Sequence, residues 1–130
     1  MVPADLAFFG PEEFRHPALM DEGFVRWLDK VRGVAGVVMV ITDDGRMDGE
    51  LNPTGSARKH SLHRRGRAVD VRSRDWTDAE KWRLAAALTA LADLAPGKVE
   101  FEPVYSSTDR HWHIGVDETA TEHRFLEADE

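Results

Sequence analysis

The chain has 130 residues, of which 42% are hydrophobic, and this size and composition suit one domain with a single core. Its formal net charge is −7, and this acidic balance argues against a protein that works mainly by binding nucleic acid. It has no cysteine, which excludes disulfides and thiolate metal sites, so any transition-metal site must use histidines and carboxylates.

The sequence predicts neither membrane insertion nor secretion. No apolar run approaches the roughly 20 residues that a transmembrane helix needs. The N-terminus carries Asp5 and has no basic segment ahead of an apolar one, as a secretory signal would. We therefore expect a chain that is cytoplasmic as synthesised, or a mature form whose signal has been removed.

The first half of the chain predicts one helix and one strand. The lead-in holds a short helical turn at Pro11–Arg15, because proline favours the first helical position. Apolar residues at helical spacing predict a helix over Asp21–Arg32 that ends at Gly33. The β-branched run Val37–Thr42 predicts a buried strand. The segment 43–60, rich in Gly, Asp, Asn and Pro, predicts a long loop, and loops of this length are often functional.

The second half predicts a strand, a helix and two further strands. Residues Arg67–Arg72 alternate, with Ala68, Asp70 and Arg72 on the polar face of a strand. The motif that begins at Thr77 is a capping box, and it opens a helix that stops before Pro96. The alternating segments Val99–Tyr105 and Arg110–Val116 predict two neighbouring strands.

This order of elements predicts a single α+β domain with a mostly antiparallel sheet and flanking helices. We expect the domain to cover residues 1–116 and an acidic C-terminal tail, lying on the surface, to cover 117–130. Trp27 and Trp82 occupy positions at helical spacing and are expected in the core.

A four-residue turn at Ser106–Asp109 would fix the register of the last two strands. It places Glu102 opposite His113, and residues directly opposite each other share a sheet face. A shift by one residue would bury the histidines, so the apolar pattern selects this register. The core face then holds Val99, Phe101, Pro103, Tyr105, Trp112, Ile114 and Val116, and the polar face holds Glu100, Glu102, Val104, His111, His113 and Gly115.

The most informative feature is a His-x6-Asp pair followed by two alternating histidines. His63 precedes a predicted strand, Asp70 lies in it, and His111 and His113 share the polar face of the hairpin. Two nitrogen ligands and one carboxylate oxygen are a usual catalytic zinc set that leaves a fourth position for water. Gly66 and the alanine two residues later are small, as a crowded metal wall would require. The pattern predicts a zinc site.

These motifs resemble those of a known family. The residues that carry the resemblance are Ser61-x-His63-x-x-Gly66-x-Ala68-x-Asp70 and His111-x-His113, together with the lead-in Phe9–Phe14 and the segment Ile41–Arg46. They are similar to peptidase family M15, the zinc D-Ala-D-Ala carboxypeptidases, which also includes phage L-alanyl-D-glutamate-type endopeptidases. The resemblance covers the chain from about Phe9 to Val116, and it implies the fold that this family shares with the hedgehog signalling domain.

The resemblance also implies roles for individual residues. It makes His63, Asp70 and His113 the zinc ligands. It places His111 beside the metal without binding it, and it makes Arg46 a candidate for holding a substrate carboxylate or the developing oxyanion. Ser61 is a candidate for substrate binding as well, and its hydroxyl could instead brace the imidazole of His63 or serve only the turn.

The chain departs from the family pattern at two places. The segment usually read Thr-Ser-Gly-Tyr-Arg is Thr-Asp-Asp-Gly-Arg here, ending at Arg46. Many members carry an acidic general base three residues before the last zinc histidine, where this chain has Arg110. The base must then come from elsewhere. The hairpin register nominates Glu102, and Asp109 and His111 are the other candidates. If Glu102 is not the base, we expect it at least to form a hydrogen bond with His113 or His111.

Two functions from different classes fit this sequence. The first is a zinc-dependent peptidase that hydrolyses peptidoglycan peptides with a metal-activated water, either a D,D-carboxypeptidase or an endolysin-type endopeptidase acting at the bacterial cell wall after release. The second is a non-catalytic structural or binding protein, for example a phage virion component that contacts other virion proteins and keeps the fold and metal site. Neither function involves nucleic acid or membrane insertion.

Overall fold

A computed structural model describes residues 1–44, 62, 65–105 and 110–127. In these residues the α-helices are α1 (Glu22–Ala35) and α2 (Asp78–Ala90), and the strands are β1 (Ile41–Asp43), β2 (Ala68–Arg72), β3 (Lys98–Val104), β4 (His111–Asp117) and β5 (Arg124–Phe125). Short 3₁₀ turns lie at Pro11–Glu13, Pro17–Leu19 and Ala92–Leu94. None of the described helices is long and apolar enough to cross a membrane.

The strands form one mixed sheet in the order β1-β2-β4-β3-β5. β2 pairs antiparallel with β1 and with β4, β3 pairs antiparallel with β4, and β5 runs parallel to β3 at the edge. The prediction of an α+β domain with a mostly antiparallel sheet is confirmed. The predicted hairpin register is also confirmed, because Glu102 lies opposite His113 and Pro103 lies opposite Trp112.

Helix α1 begins and ends at capping residues. The carboxylate of Asp21 accepts a hydrogen bond of 2.9 Å from the backbone N–H of Phe24. The helix ends at Gly36, whose left-handed φ of 63° suits glycine. The predicted end at Gly33 is therefore wrong. Gly33 lies inside the helix, where a side chain would overlap the ring of Phe8, so this glycine serves packing rather than termination.

Helix α2 begins with the predicted capping box. The Thr77 side chain accepts from the backbone N–H of Glu80 at 3.1 Å, and the Glu80 carboxylate accepts from the backbone N–H of Thr77 at 3.0 Å. Trp27 of α1 is buried as predicted, and its indole N–H donates to the carbonyl of Leu91 at 2.8 Å. The core prediction for Trp82 is wrong, because its side chain lies on the outer face of α2 and is 77% exposed.

The core lies between the two helices and the apolar face of the sheet. Val71, Val99, Trp112 and Ile114 from the sheet belong to the same buried cluster as residues of both helices, Leu28 among them. The opposite face of the sheet is polar. This division leaves the polar face as the place where the predicted site residues lie.

The run Val37–Thr42 is not the buried strand that its composition predicts. The regular strand is Ile41–Asp43, and before it Val37 and Met39 are buried while Val38 and Val40 are exposed. The physical reason is position, since β1 is an edge strand of the sheet and has only one covered side. A continuous apolar run does not by itself distinguish a central strand from an edge strand.

The segment after β4 does more than lie on the surface as an acidic tail. It adds β5 to the sheet, with Arg124 opposite Glu100. The imidazole of His123 accepts from the backbone N–H of Val99 at 2.9 Å through Nδ1 and lies 2.9 Å from Asp93 through Nε2. These contacts hold the C-terminal segment against β3 and bring an arginine to the polar face.

The small size of Gly66 lets it pack closely against backbone. It has a φ of 69°, and its carbonyl accepts from the backbone N–H of Asp21 at 2.9 Å. A Cβ there would overlap the carbonyl oxygen of Leu19 and lie 2.9 Å from the Cα of Met20. The glycine of the His-x6-Asp motif therefore lets the segment before β2 contact the start of α1.

Substituting Gly66 with alanine is expected to destabilise the protein by about 2–4 kcal/mol, since it combines left-handed strain with backbone overlap. Gly36→Ala is the matched control, because Gly36 has a similar φ of 63° and no atom within 4 Å of the added Cβ. It should cost only about 1 kcal/mol. Urea unfolding of both variants measures the difference, and equal losses of stability would contradict the packing argument.

Candidate metal centre

Four polar residues form one row across four strands of the sheet. Asp43 of β1 lies opposite Asp70 of β2, Asp70 lies opposite His113 of β4, and His113 lies opposite Glu102 of β3. Cross-strand partners share a face, so the alternation that turns Val71 and Trp112 into the core places Asp70, His113 and Glu102 on the opposite face. A register shift in β1 between Ile41 and Asp43 brings Asp43 opposite Asp70. The sheet itself brings the carboxylates and the imidazole together.

Asp70 and His113 are in direct contact at the centre of this row. Oδ1 of Asp70 lies 3.2 Å from Nδ1 of His113, and the two side chains are 10% and 18% exposed. The second oxygen, Oδ2, lies 3.9 Å from Nε2 of His111. One nearly buried carboxylate therefore faces both histidines of the alternating pair.

The distance between Asp70 and His113 suits two ligands of one metal ion. Ligand atoms about 2.0–2.1 Å from a tetrahedral zinc are separated by about 3.3 Å. The 3.2 Å between Nδ1 and Oδ1 is close to this value. It is equally the length of a hydrogen bond between the two side chains, so zinc binding by this pair stays a prediction.

The other ring nitrogen of His113 is held by Glu100. Its Nε2 lies 2.8 Å from Oε2 of Glu100, and the other oxygen of Glu100 accepts from Arg124 at 2.8 Å. A metal-binding histidine commonly has its second nitrogen fixed in this way by a carboxylate. We expected Glu102 to be the base or at least to make this hydrogen bond, and the structure gives the hydrogen bond to Glu100.

The two glutamates occupy different positions relative to His113. Glu100 pairs with Gly115, and its carboxylate reaches His113 diagonally, two residues along β4. Glu102 is directly opposite His113, and no hydrogen bond or ion pair joins its carboxylate to another described residue. Its role as general base stays a prediction.

The carboxylates around His113 change its ionisation. Burial lowers the pKa of His113, but the hydrogen bonds to Asp70 and Glu100 and the charges of both carboxylates outweigh burial and raise the pKa to about 9. The same contact holds the pKa of Glu100 below its ordinary value. Both ring nitrogens face acceptors, and only the imidazolium can donate from both. The site therefore favours one positive charge between two negative ones.

No protein-family model matches this chain, and neither the curated proteins nor the solved structures with which it was compared include a match.

The described residues hold part of the predicted site. Asp70, His113, His111 and Glu102 are brought together on one face, whereas His63, Ser61, Arg46 and Asp109 lie outside the described residues. Within the described ranges no group of three His, Asp or Glu side chains has the geometry to hold a metal ion. Leu62, which precedes His63 in the chain, lies against Gly115 on the polar face.

The unusual Asp-Asp of the segment that ends at Arg46 has a structural role. Asp44 is fully buried, and its carboxylate accepts from the backbone N–H of Arg15 and of His16 and lies 3.0 Å from Nδ1 of His16. Its neighbour Asp43 accepts from the backbone N–H of Asp44 at 3.1 Å. The departure from the family pattern therefore ties the N-terminal lead-in to the end of β1, beside the polar row.

The raised pKa of His113 predicts how the stability of the metal-free protein depends on pH. In the folded protein the pKa of His113 is about 9, above the ordinary 6.5, so its protonation stabilises the fold. This stabilisation is complete below about pH 6.5 and is lost as pH rises through 9. It amounts to about 3 kcal/mol. Urea unfolding in the presence of a chelator, between pH 6 and 9.5, measures it. His113→Asn should give a flatter curve, and a decline parallel to that of the wild type would refute the assignment.

Proposed function

We propose that this protein is a zinc-dependent peptidase that hydrolyses peptidoglycan peptides. The observation that carries the proposal is the contact between Asp70 and His113 on the polar face, with the second nitrogen of His113 held by Glu100. Both residues belong to the motifs that resemble peptidase family M15. A purely structural ion pair between Asp70 and His113 would not need the histidine that lies seven residues before Asp70, whereas a metal site would use it as a ligand.

Three residues would hold the metal, namely His63, Asp70 and His113. The charge of the site supports a cation there, because carboxylates lie in contact with both ring nitrogens of His113. A bound zinc would supply a water nucleophile at neutral pH and polarise the scissile carbonyl. Glu100 fixes the orientation of the His113 ring, and Arg124 in turn fixes Glu100.

The proton of the attacking water needs an acceptor from this chain. Glu102 is our candidate, because it is directly opposite His113 and its carboxylate is not engaged by another described residue. A glutamate in that position can take a proton from water and deliver one to the leaving amine. Asp109 and His111 remain the other candidates. The nearly buried carboxylate of Asp70 is better suited to holding a metal than to shuttling protons.

One feature favours the non-catalytic alternative. The family's usual acid is replaced by Arg110, and a protein that keeps fold and metal without turnover, such as a phage virion component, would tolerate that change. The decisive experiment is incubation of the zinc-loaded protein with purified peptidoglycan, with the released ends identified by mass spectrometry. New peptide ends are expected with wild type and not with His113→Ala. No new ends with the wild type would favour the virion alternative.

A further inference from the structure

Arg72 lies on the polar face, one position along β2 from the Asp70 row. It is directly opposite His111, so its side chain shares the face of both histidines. Neither the motif nor the resemblance gives this arginine a role. Its partners in the folded protein therefore indicate whether it is a structural or a binding residue.

The guanidinium of Arg72 forms no ion pair with any of the residues that the structure describes. No ion pair or hydrogen bond joins it to any of them, and its Nε is buried without an acceptor. A buried donor without a partner costs about 1–3 kcal/mol and calls for an explanation. Arg124, which the sheet places on the same face, is by contrast bound to Glu100 at 2.8 Å.

The surroundings of Arg72 are acidic, which makes an unpaired cation there useful for an anionic ligand. Asp43, Asp70, Glu100 and Glu102 all lie at polar-face positions of the sheet. Their charges would repel a substrate that carries a carboxylate, unless a cation meets that group. A guanidinium is the side chain best matched to a carboxylate, because its planar fork can donate two parallel hydrogen bonds.

The spacing indicates where along the substrate such a carboxylate would be. Successive same-face residues of a strand are about 6.6 Å apart, which separates Arg72 from the row of Asp70 and His113. One residue of substrate spans about 3.6 Å, and a charge-assisted hydrogen bond adds about 2.8 Å. Arg72 can therefore reach a carboxylate one residue beyond a carbonyl bound at the row.

We propose that Arg72 binds the free C-terminal carboxylate of the substrate, so that the site removes the last residue of a peptide. This inference rests on the proposed peptidase function and deepens it, because it selects a carboxypeptidase over an endopeptidase. In this role Arg72 binds the terminal carboxylate of the substrate and does not contribute to zinc binding.

The test compares two probes that differ only in the terminal group, an acylated D-alanyl-D-alanine and its C-terminal amide. Hydrolysis and equilibrium binding of both are measured with zinc-loaded wild type, Arg72→Gln and Arg72→Lys. Arg74→Gln is the matched control, because it removes the same charge from a side chain that is 62% exposed and pairs with Asp75. Zinc content and circular dichroism check that each variant is folded and loaded.

Wild type and Arg74→Gln should prefer the acid over the amide, and Arg72→Gln should lose about 10–100-fold on the acid while the amide is unchanged. Arg72→Lys should keep part of the preference, because it keeps the charge and loses the fork. If Arg72→Gln does not fold, Arg72→Lys is the deciding variant. A preference of Arg72→Lys for the acid over the amide that equals that of the wild type would overturn the proposal.

The two proposals fail in different ways. Hydrolysis with the same acid-to-amide ratio in wild type and Arg72→Gln would overturn the role of Arg72 and leave the peptidase standing. No hydrolysis by the wild type, with acid binding that Arg72→Gln abolishes, would overturn the peptidase and support the carboxylate site. Equal binding of the acid and the amide by the wild type would overturn the carboxylate site in either case.

Discussion

Alanine at position 113 is expected to remove zinc binding and hydrolysis together. His113 contacts Asp70 through Nδ1 at 3.2 Å and Glu100 through Nε2 at 2.8 Å, so its ring links the proposed ligand set to the carboxylate that orients it. Loss of an outer partner of a metal ligand typically costs 10–100-fold in metal affinity or activity. Loss of the ligand itself should cost more than about 100-fold in both.

Metal analysis of the purified variants measures this effect, with hydrolysis of peptidoglycan as the second readout. His63→Ala and Asp70→Asn should behave in the same way as His113→Ala. Asp75→Asn is the control, because the side chain of Asp75 is 72% exposed and lies beyond the end of β2, away from the polar row. A full equivalent of zinc retained by His113→Ala would remove this residue from the ligand set.

The hairpin register was predictable because the alternation of side chains has a period of two. Trp112 and Ile114 had to face the core, and that requirement together with the four-residue turn predicted at Ser106–Asp109 placed Glu102 opposite His113. The start of α2 was predictable for a similar reason, since the Thr77–Glu80 capping box is a local signal that needs no tertiary partner. Features set by short-range geometry could be read from the sequence.

Features that depend on tertiary contacts could not be predicted from the sequence. Gly33 follows the last residue of the apolar helical pattern, as a glycine that ends a helix does. It nevertheless lies within α1, where the ring of Phe8 packs over it. Trp82 has the spacing of a core residue, yet none of the described elements covers that side of α2. In both cases the deciding partner is distant in the chain and its position is not encoded by local periodicity.

The candidate site divides in the same way. Alternation placed Glu100 and Glu102 on the same face as His113, but it could not decide which carboxylate contacts the ring. The answer depends on Arg124, which binds the other oxygen of Glu100 and comes from a segment expected to be a tail. The two glutamates therefore have separable roles: Glu100 forms a hydrogen bond with the proposed ligand His113, and Glu102 is its cross-strand partner.

Isosteric substitution of each glutamate is expected to separate these roles. Glu102→Gln should keep its zinc and lose about 10²–10⁴-fold in hydrolysis, the usual contribution of a general base. Glu100→Gln should weaken zinc binding about 10–100-fold, because the amide orients the His113 ring less firmly than the carboxylate does, and excess zinc should restore most of its hydrolysis.

The measurement is a zinc titration of each variant with hydrolysis followed at every zinc concentration, so that affinity and turnover are read from the same curve. Asp109→Asn serves as the third variant, because Asp109 is the competing candidate for the base. Full hydrolysis by Glu102→Gln combined with a loss in Asp109→Asn would transfer the role of base to Asp109. A defect of Glu100→Gln that persists at saturating zinc would mean that Glu100 acts on the reaction itself, since a residue that only holds a ligand should no longer limit hydrolysis once the metal is bound.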